Sequence, residues 1–347
     1  MRRLALITPL LMLCSCEPSK SPVQWLWNQQ AADGGWHSET YGLLRSGQSL
    51  TPFALLTLLE TDASAAPQNV DRALKFIAAH TAKDGSLGRM DESSQDYPNY
   101  ATSLAIRAIV RARRPGWEAR IAPMVRYLRT QQFADENGWK PADDPYGGWG
   151  MGGERLRPPN TGHVDLSMTR HVLQALREAG AGVDDVAVKR ALIYLRKLQD
   201  ADGGFIFSTT EEDTNKAGCP DVGHCRSYGT ATADGVLALV AVGADPKNAW
   251  AWLERNQIET GRIAGFEGPV YERWHRGLAY YYGAVLSEAA AAVGAKVPAW
   301  GAPSPLPGGW YANTENLVKE NDPLIATVFA IRQSQFAQVR PPRADNE

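Results

Sequence analysis

The feature that most constrains this chain is a short motif that returns along it. Gln29-Gln30 leads into Asp33-Gly34-Gly35-Trp36. Lys83-Asp84-Gly85-Ser86-Leu87 is a weaker copy, Gln131-Gln132 with Asn137-Gly138-Trp139 a better one, and Gln199 with Asp202-Gly203-Gly204-Phe205 nearly repeats the original. Gln257 with Gly265-Phe266, and Gly308-Gly309-Trp310, are degraded copies. Gly34, Gly85, Gly138 and Gly203 are 51, 53 and 65 residues apart. A period near fifty marks an array of one supersecondary unit. Such a unit cannot bury its apolar face alone, so neighbours must stack.

Each motif residue has a structural task. Gly supplies the positive φ that ends a helix, and Asp favours the turn that follows. Gln is placed to hydrogen-bond backbone groups of the next unit, with the Trp or Phe ring packed beside it. The repeated Gln…Asp-Gly-Gly-Trp/Phe pattern between helix pairs resembles the QW-type repeat of the squalene–hopene cyclase and protein prenyltransferase superfamily. The resemblance spans about residues 22–338. It implies an α/α toroid and says less about activity.

Composition bounds the remaining possibilities. The chain has 347 residues, 44% of them apolar, enough for a large core. Its formal charge is −2, or −4 once Arg2 and Arg3 leave with a leader, and without a basic patch nucleic acid is not an expected partner. Arg2-Arg3, the apolar stretch 4–13 and Leu13-Cys14-Ser15-Cys16 read as a signal peptide. The Cys after Leu-x-Ser resembles the lipidation site of bacterial lipoproteins, which implies Cys16 as mature N-terminus and membrane anchor; an ordinary secretory leader is the alternative. Either places the protein outside the cytoplasm, in the cell envelope. There, Cys219 and Cys225, six apart, are expected to form a disulfide, with metal ligation or free thiols as alternatives.

The expected domains are a leader over 1–15, a tether over 16–21, a repeat domain over 22–338 and a polar tail over 339–347. Helices are expected over 22–30, 51–60, 69–81, 99–113, 120–132, 165–179, 185–199, 228–242, 247–257, about 273–293, and 322–338. Two kinds alternate. The helix over 185–199 has one apolar stripe and a charged face, whereas that over 228–242 is apolar nearly all round. Charged-face helices are expected to form an outer ring and apolar ones an inner ring, giving an all-α toroid of five to six helical hairpins. Prolines 298, 303, 305 and 307 exclude the outer helix of the last unit, which leaves an incomplete ring open as an expectation there. The long loops 139–162 and 205–227 run into inner helices, which places the candidate site at that end.

His163-Val164-Asp165-Leu166-Ser167 opens an inner helix and is similar to the Asp-x-Asp-Asp-Thr of squalene–hopene cyclases, whose middle Asp protonates an alkene. The resemblance implies an acid at Asp165 with His163 beside it, although His163 and Leu166 stand where that family has carboxylates. Position alone makes Asp165 an N-cap. Asp221, His224, Cys225 and His275 are similar in order to the zinc ligands of protein prenyltransferases, which implies a possible zinc site of Cys225, His224 and His275. The family's Asp would fall at Gly223, and a Cys219–Cys225 disulfide would abolish the site. Tyr100, Trp149, Tyr228, Tyr271, Trp274 and Tyr281 are candidates for the walls of a ligand cavity, because ring faces stabilise carbocations; they also fill cores.

Three functions follow as expectations. The first is a cyclase-like toroid binding, and perhaps transforming, an apolar isoprenoid-type ligand. The second is a non-catalytic extracytoplasmic binding or scaffold protein. The third is a glycan-active α/α barrel using loop carboxylates such as Asp91-Glu92, Asp143-Asp144 or Glu211-Glu212-Asp213.

Overall fold

The computed structural model describes residues 21–61, 66–90, 95–221 and 223–338. The expected leader, Cys16, Asp91-Glu92 and the tail over 339–347 lie outside these residues. Twelve α-helices are found among them: α1 (Pro22–Asn28), α2 (Leu50–Thr61), α3 (Pro67–His80), α4 (Pro98–Ala112), α5 (Ile121–Thr130), α6 (Leu166–Glu178), α7 (Val186–Leu198), α8 (Gly229–Val242), α9 (Lys247–Asn256), α10 (Glu272–Gly277), α11 (Ala279–Val293) and α12 (Pro323–Ala337). The expected helix over 273–293 is two. It breaks at Leu278 after Gly277, which lets the Leu317 side chain come close. Two-residue strands β1 (Trp149–Gly150) and β2 (Val164–Asp165) pair antiparallel with Trp149 opposite Asp165.

The inner ring runs α2, α4, α6, α8, α11, α12 and closes on α2. Helices α1, α3, α5, α7 and α9 pack outside it. No helix covers the outside between α11 and α12, where the proline-rich segment runs. The inner ring closes there regardless. The seam is hydrogen-bonded: Ser38 donates to Asp322, Tyr41 donates to Asn321, and Gln335 Nε2 donates to the Glu60 carbonyl at 2.7 Å.

The motif glutamines join neighbouring units. Gln30 Nε2 donates to Gly34 O and to Asn69 O in α3, both at 2.9 Å. Gln132 Nε2 does the same to Gly147 O and to Ala187 O in α7. This pairing corrects the third copy. Gly147-Gly148-Trp149, not Asn137-Gly138-Trp139, closes the unit; Trp149 Nε1 donates to Leu128 O as Trp36 Nε1 donates to Leu26 O, each at 2.7 Å. Gly147 has φ +91, and a Cβ there would lie 2.0 Å from the Arg190 carbonyl oxygen of α7. It is a glycine for conformation and for close approach alike.

A second repeat accompanies the first. The backbone N–H of Trp36, Leu87, Trp149, Phe205 and Tyr311 donates to the hydroxyl of Thr51, Thr102, Thr169, Thr232 and Thr327, each on the adjoining inner helix, at 2.9–3.0 Å. In the remaining unit Ile263 N–H donates to His275 Nδ1 at 2.9 Å. The six turns therefore begin at Gly34, Gly85, Gly147, Gly203, Gly261 and Gly309, all with positive φ. Gly261-Arg262-Ile263 and Gly309-Trp310-Tyr311 replace the expected fifth and sixth copies.

Candidate functional site

The ring axis is layered. From the middle of the inner helices toward their C-terminal ends it is filled by charge. Arg170 Nε lies 2.7 Å from Asp234 Oδ1, and Arg332 lies 2.6 Å from Glu60 and 3.0 Å from Glu288. Arg107 sits 2.8 Å from Glu178 and 3.6 Å from Glu60. Every inner helix contributes to this buried network. Burial works against a charged Glu288, but Arg332, Arg170 and Arg107 outweigh it and hold its carboxyl at about 2. For Asp234 burial wins over Arg170 and Tyr281 and raises its pKa. Neither the expected apolar character of the inner ring nor any motif pointed to this network. The available signal was the single charge on each of α2, α8, α11 and α12.

Above the ions lies a collar of rings. Tyr100 meets His171 at 4.6 Å, Phe53 meets Phe329 at 5.1 Å, and Tyr281 meets Phe329 at 5.4 Å between ring centroids. Burial, with Arg170, Arg107 and Arg332 nearby, holds the His171 pKa well below its usual range. Tyr281 links collar to ions: its hydroxyl donates to Asp234 and sits 2.9 Å from Ser167 Oγ.

Above the collar, at the N-terminal ends of the inner helices, is a cavity of about 420 Å³. Tyr100, Trp274 and Tyr281 line it, as expected, together with Asp165 and His163. Tyr97, another aromatic at an inner-helix start, joins them; Met151, Phe207 and Lys216 were not expected there. The loops 139–162 and 205–227 supply part of the wall through Met151 and through Phe207, Asp213, Thr214 and Lys216. The other three aromatic candidates are packing residues. Trp149 and Tyr228 are fully buried. Tyr228 stacks on Phe266 at 5.3 Å, and Tyr271 also stacks on Phe266 at 5.1 Å while donating to Ala217 O at 2.8 Å.

Asp165 is buried and its two oxygens are divided. Oδ1 accepts the Met168 N–H at 2.7 Å, capping α6, while Oδ2 takes His163 Nε2 at 2.7 Å. His163 Nδ1 meets Glu211 on the loop 205–227. Burial opposes the imidazolium, but hydrogen bonds and charge from Asp165 and Glu211 prevail and raise its pKa to about 9. The capping role and the His163 contact thus coexist at Asp165. At neutral pH His163 is an imidazolium, hydrogen-bonded on one side to Asp165 and on the other to Glu211.

The zinc arrangement is not formed. Cys225 is disulfide-bonded to Cys219, so its sulfur is not a thiolate ligand. His275 is turned to the Ile263 N–H, in the place where other units carry a threonine hydroxyl, and packs edge-on to Phe266. His224 does not join them: among the described residues no three His, Cys, Asp or Glu side chains cluster as metal ligands. The loop carboxylates have local tasks, with Glu212 accepting the Gly223 N–H at 2.8 Å and Asp143 the Lys140 N–H at 2.7 Å.

A closed ring of helical hairpins, turned by glycine and tied by glutamine, defines a class of protein, and comparison with known proteins places the chain in it. The profile of the prenyltransferase α/α-toroid domain matches residues 4–150 and 139–221, more than half of the chain. The chain belongs to that family. Solved structures with this fold include two variants of the type II terpene cyclase MstE from Scytonema in complex with geranylgeranyl dihydroxybenzoate as substrate. Each is 15% identical with a TM-score of 0.51, over 92% and 91% of this chain and 95% of that one. A further variant holds merosterolic acid A as product, at 15% identity and a TM-score of 0.48 over 92% of this chain and 95% of that one. At this identity the likeness is one of fold. No curated protein sequence matches the chain.

Proposed function

We propose that the protein binds an apolar isoprenoid-type ligand in the cavity above the aromatic collar. The carrying observation is the cavity itself: about 420 Å³, walled by Tyr97, Tyr100, Phe207, Trp274 and Tyr281 and closed below by rings and ions. That volume lies in the range of small-molecule sites. A prenyl chain would contact ring faces along its length and leave its polar end toward His163 and the loop 205–227. The same fold in MstE holds a geranylgeranyl-bearing substrate, which supports the choice of chemistry.

Binding is favoured over cyclisation by the state of the Asp165–His163 pair. Protonating an alkene needs a carboxyl oxygen free to present a proton, and both oxygens of Asp165 are engaged, Oδ1 by the Met168 N–H and Oδ2 by His163 Nε2. Catalysis is a second reading, favoured by Asp165 opening onto the cavity. Farnesol titration followed by tryptophan fluorescence tests the first. Quenching that Tyr100→Trp abolishes by filling the cavity supports it; no quenching, with no lipid recovered by mass spectrometry from purified protein, ends it. Turnover of a polyprene that Asp165→Asn abolishes while farnesol still binds would establish the second.

On the sequence pattern at Cys16 we further propose a lipid-anchored protein facing an extracytoplasmic compartment, a setting in which the Cys219–Cys225 disulfide would persist. Among the described residues no helix is long and apolar enough to cross a membrane. Cys16→Ala should release the protein from the membrane fraction; unchanged fractionation argues against the anchor.

A further inference from the structure

We propose a second ligand site, on the outside of the ring at its seam, that takes a neutral carbohydrate against Trp25 and Trp310. It is independent of the central cavity.

The seam is where the repeat is broken. In every outer helix an aromatic residue stands five before the motif glutamine, or before its counterpart Thr81: Trp25, Phe76, Tyr127, Tyr194 and Trp252. All but Trp25 are buried. Three of them lie against the turn of the preceding unit, where a glycine makes room. A Cβ on Gly35 would lie 2.8 Å from Phe76, one on Gly148 3.0 Å from Tyr194, and one on Gly204 2.8 Å from Trp252. For Trp25 the preceding turn is the last one, and the residue in the glycine's place is Trp310. The two indoles stack with centroids 6.3 Å apart and planes at 27°. A second change accompanies the first. Trp252 Nε1 donates at 2.8 Å to Asp202, the residue before the turn glycine, whereas the last turn has Gly308 there. Trp25 is left only partly buried. With an indole where the other units have glycine, a cavity of about 480 Å³ stays open between α1, the last turn and the start of α12.

The lining points to the ligand class. The indoles form an apolar wall, and among the described residues neither indole N–H has a hydrogen-bond partner. Around them stand the Gln29 amide, the Thr40 hydroxyl and the Glu39 carboxylate. Among the described residues Thr40 Oγ1 is unpartnered, and the Glu39 carboxylate has no ion pair. No Lys or Arg of the described residues lines the cavity, and Glu39 disfavours an anion. A pyranose has C–H faces and a rim of hydroxyls, which suits a ring wall edged with donors and acceptors. The volume holds about two such rings. A quaternary ammonium would want rings on several sides, and these two make a single wall. That wall is set in advance. The Trp310 carbonyl accepts the Leu306 N–H at 2.8 Å, Tyr311 N–H is held by Thr327 at 2.9 Å, and Thr40 N–H by Ser38 at 3.1 Å. Such order limits the entropy lost on binding.

Isothermal titration with cellobiose, maltose and diacetylchitobiose tests this, with choline as the control. The wild type should bind at least one disaccharide with a dissociation constant of about a millimolar or tighter. Trp310→Gly restores the residue of the other turns and lets Trp25 settle into the space; it should weaken binding about tenfold or more with an unchanged circular dichroism spectrum. If that variant does not fold, Trp25→Phe carries the ring of the second unit and should weaken binding about threefold or more. Glu39→Gln keeps an acceptor and should stay within about threefold of wild type. The proposal is overturned if no disaccharide binds, if the tryptophan variant that folds binds as well as the wild type, or if Glu39→Gln abolishes binding. Choline binding without any sugar binding overturns it too, in favour of a cation site.

Discussion

Arg170 of α6 and Asp234 of α8 meet at 2.7 Å inside the ring, and neither atom of the contact has hydrogen-bond geometry, so the pair is held by charge. Removing one partner would strand the other in a dry interior. Asp234→Ala should cost about 3–5 kcal/mol, read as a lowered urea midpoint. Replacing both, as Arg170→Met with Asp234→Leu, should cost much less. Equal losses in the single and double variants would mean the network is not where the energy lies.

His163 sets a pH dependence. Its reference pKa is 6.5 and its folded value about 9. A raised folded pKa contributes stability that is fully present below pH 6.5 and lost as the pH climbs through about 9. The melting temperature of the wild type should therefore fall over this window relative to that of His163→Gln. Parallel curves would show that the imidazole does not titrate there.

The motif glutamines should differ in cost. Gln132→Ala strips hydrogen bonds from two buried carbonyls in neighbouring units and should cost about 1–3 kcal/mol. Gln29→Ala loses one exposed bond of 3.4 Å and should sit within about 0.5 kcal/mol of wild type. Denaturant titrations of the two variants decide.

Gly147 and Gly116 both have positive φ, yet only Gly147 touches a neighbour's backbone. Gly116→Ala should cost about 1–2 kcal/mol for conformation alone. Gly147→Ala must also move α7 and should be the more severe by thermal melting; similar losses would mean the approach of Arg190 carries no weight.

His275→Ala should leave the Ile263 N–H unpaired, at about 1–3 kcal/mol, with no change in bound metal. Metal analysis showing one equivalent of zinc lost in the variant would restore the ligand role.

The repeat and the two rings of a toroid were legible because Gly34, Gly203 and Gln30 carry local signals that need no knowledge of the rest of the chain; closure across the proline-rich last unit was not, since the lost outer helix left an incomplete ring open. The register was legible only in part. The segment between Gln132 and Gly147 contains its own Asn137-Gly138-Trp139, a turn whose Trp139 Nε1 donates to Leu156 O, outside the repeat. His275 invited a metal reading because its equivalents are threonines, and nothing local marks a histidine as their substitute. Asp165 was readable as cap and as acid because both follow from its place at a helix start. Lys216 and the axial ions were not readable. Glu60, Asp234, Glu288 and Arg332 are single charges on separate helices, and only ring closure brings them to one another and to Arg107 and Arg170.

That closure changes what a unit is worth. In an open stack the end repeats can fray and the middle survives. Here the contacts of Ser38 with Asp322 and of Tyr41 with Asn321 give the first turn a neighbour on both sides. Deleting one hairpin would not shorten the assembly by a step; it would breach it, wetting the axial guanidiniums and carboxylates at once. Such a chain has no partially assembled form worth keeping, and its unfolding should be all-or-none despite its repetitive build.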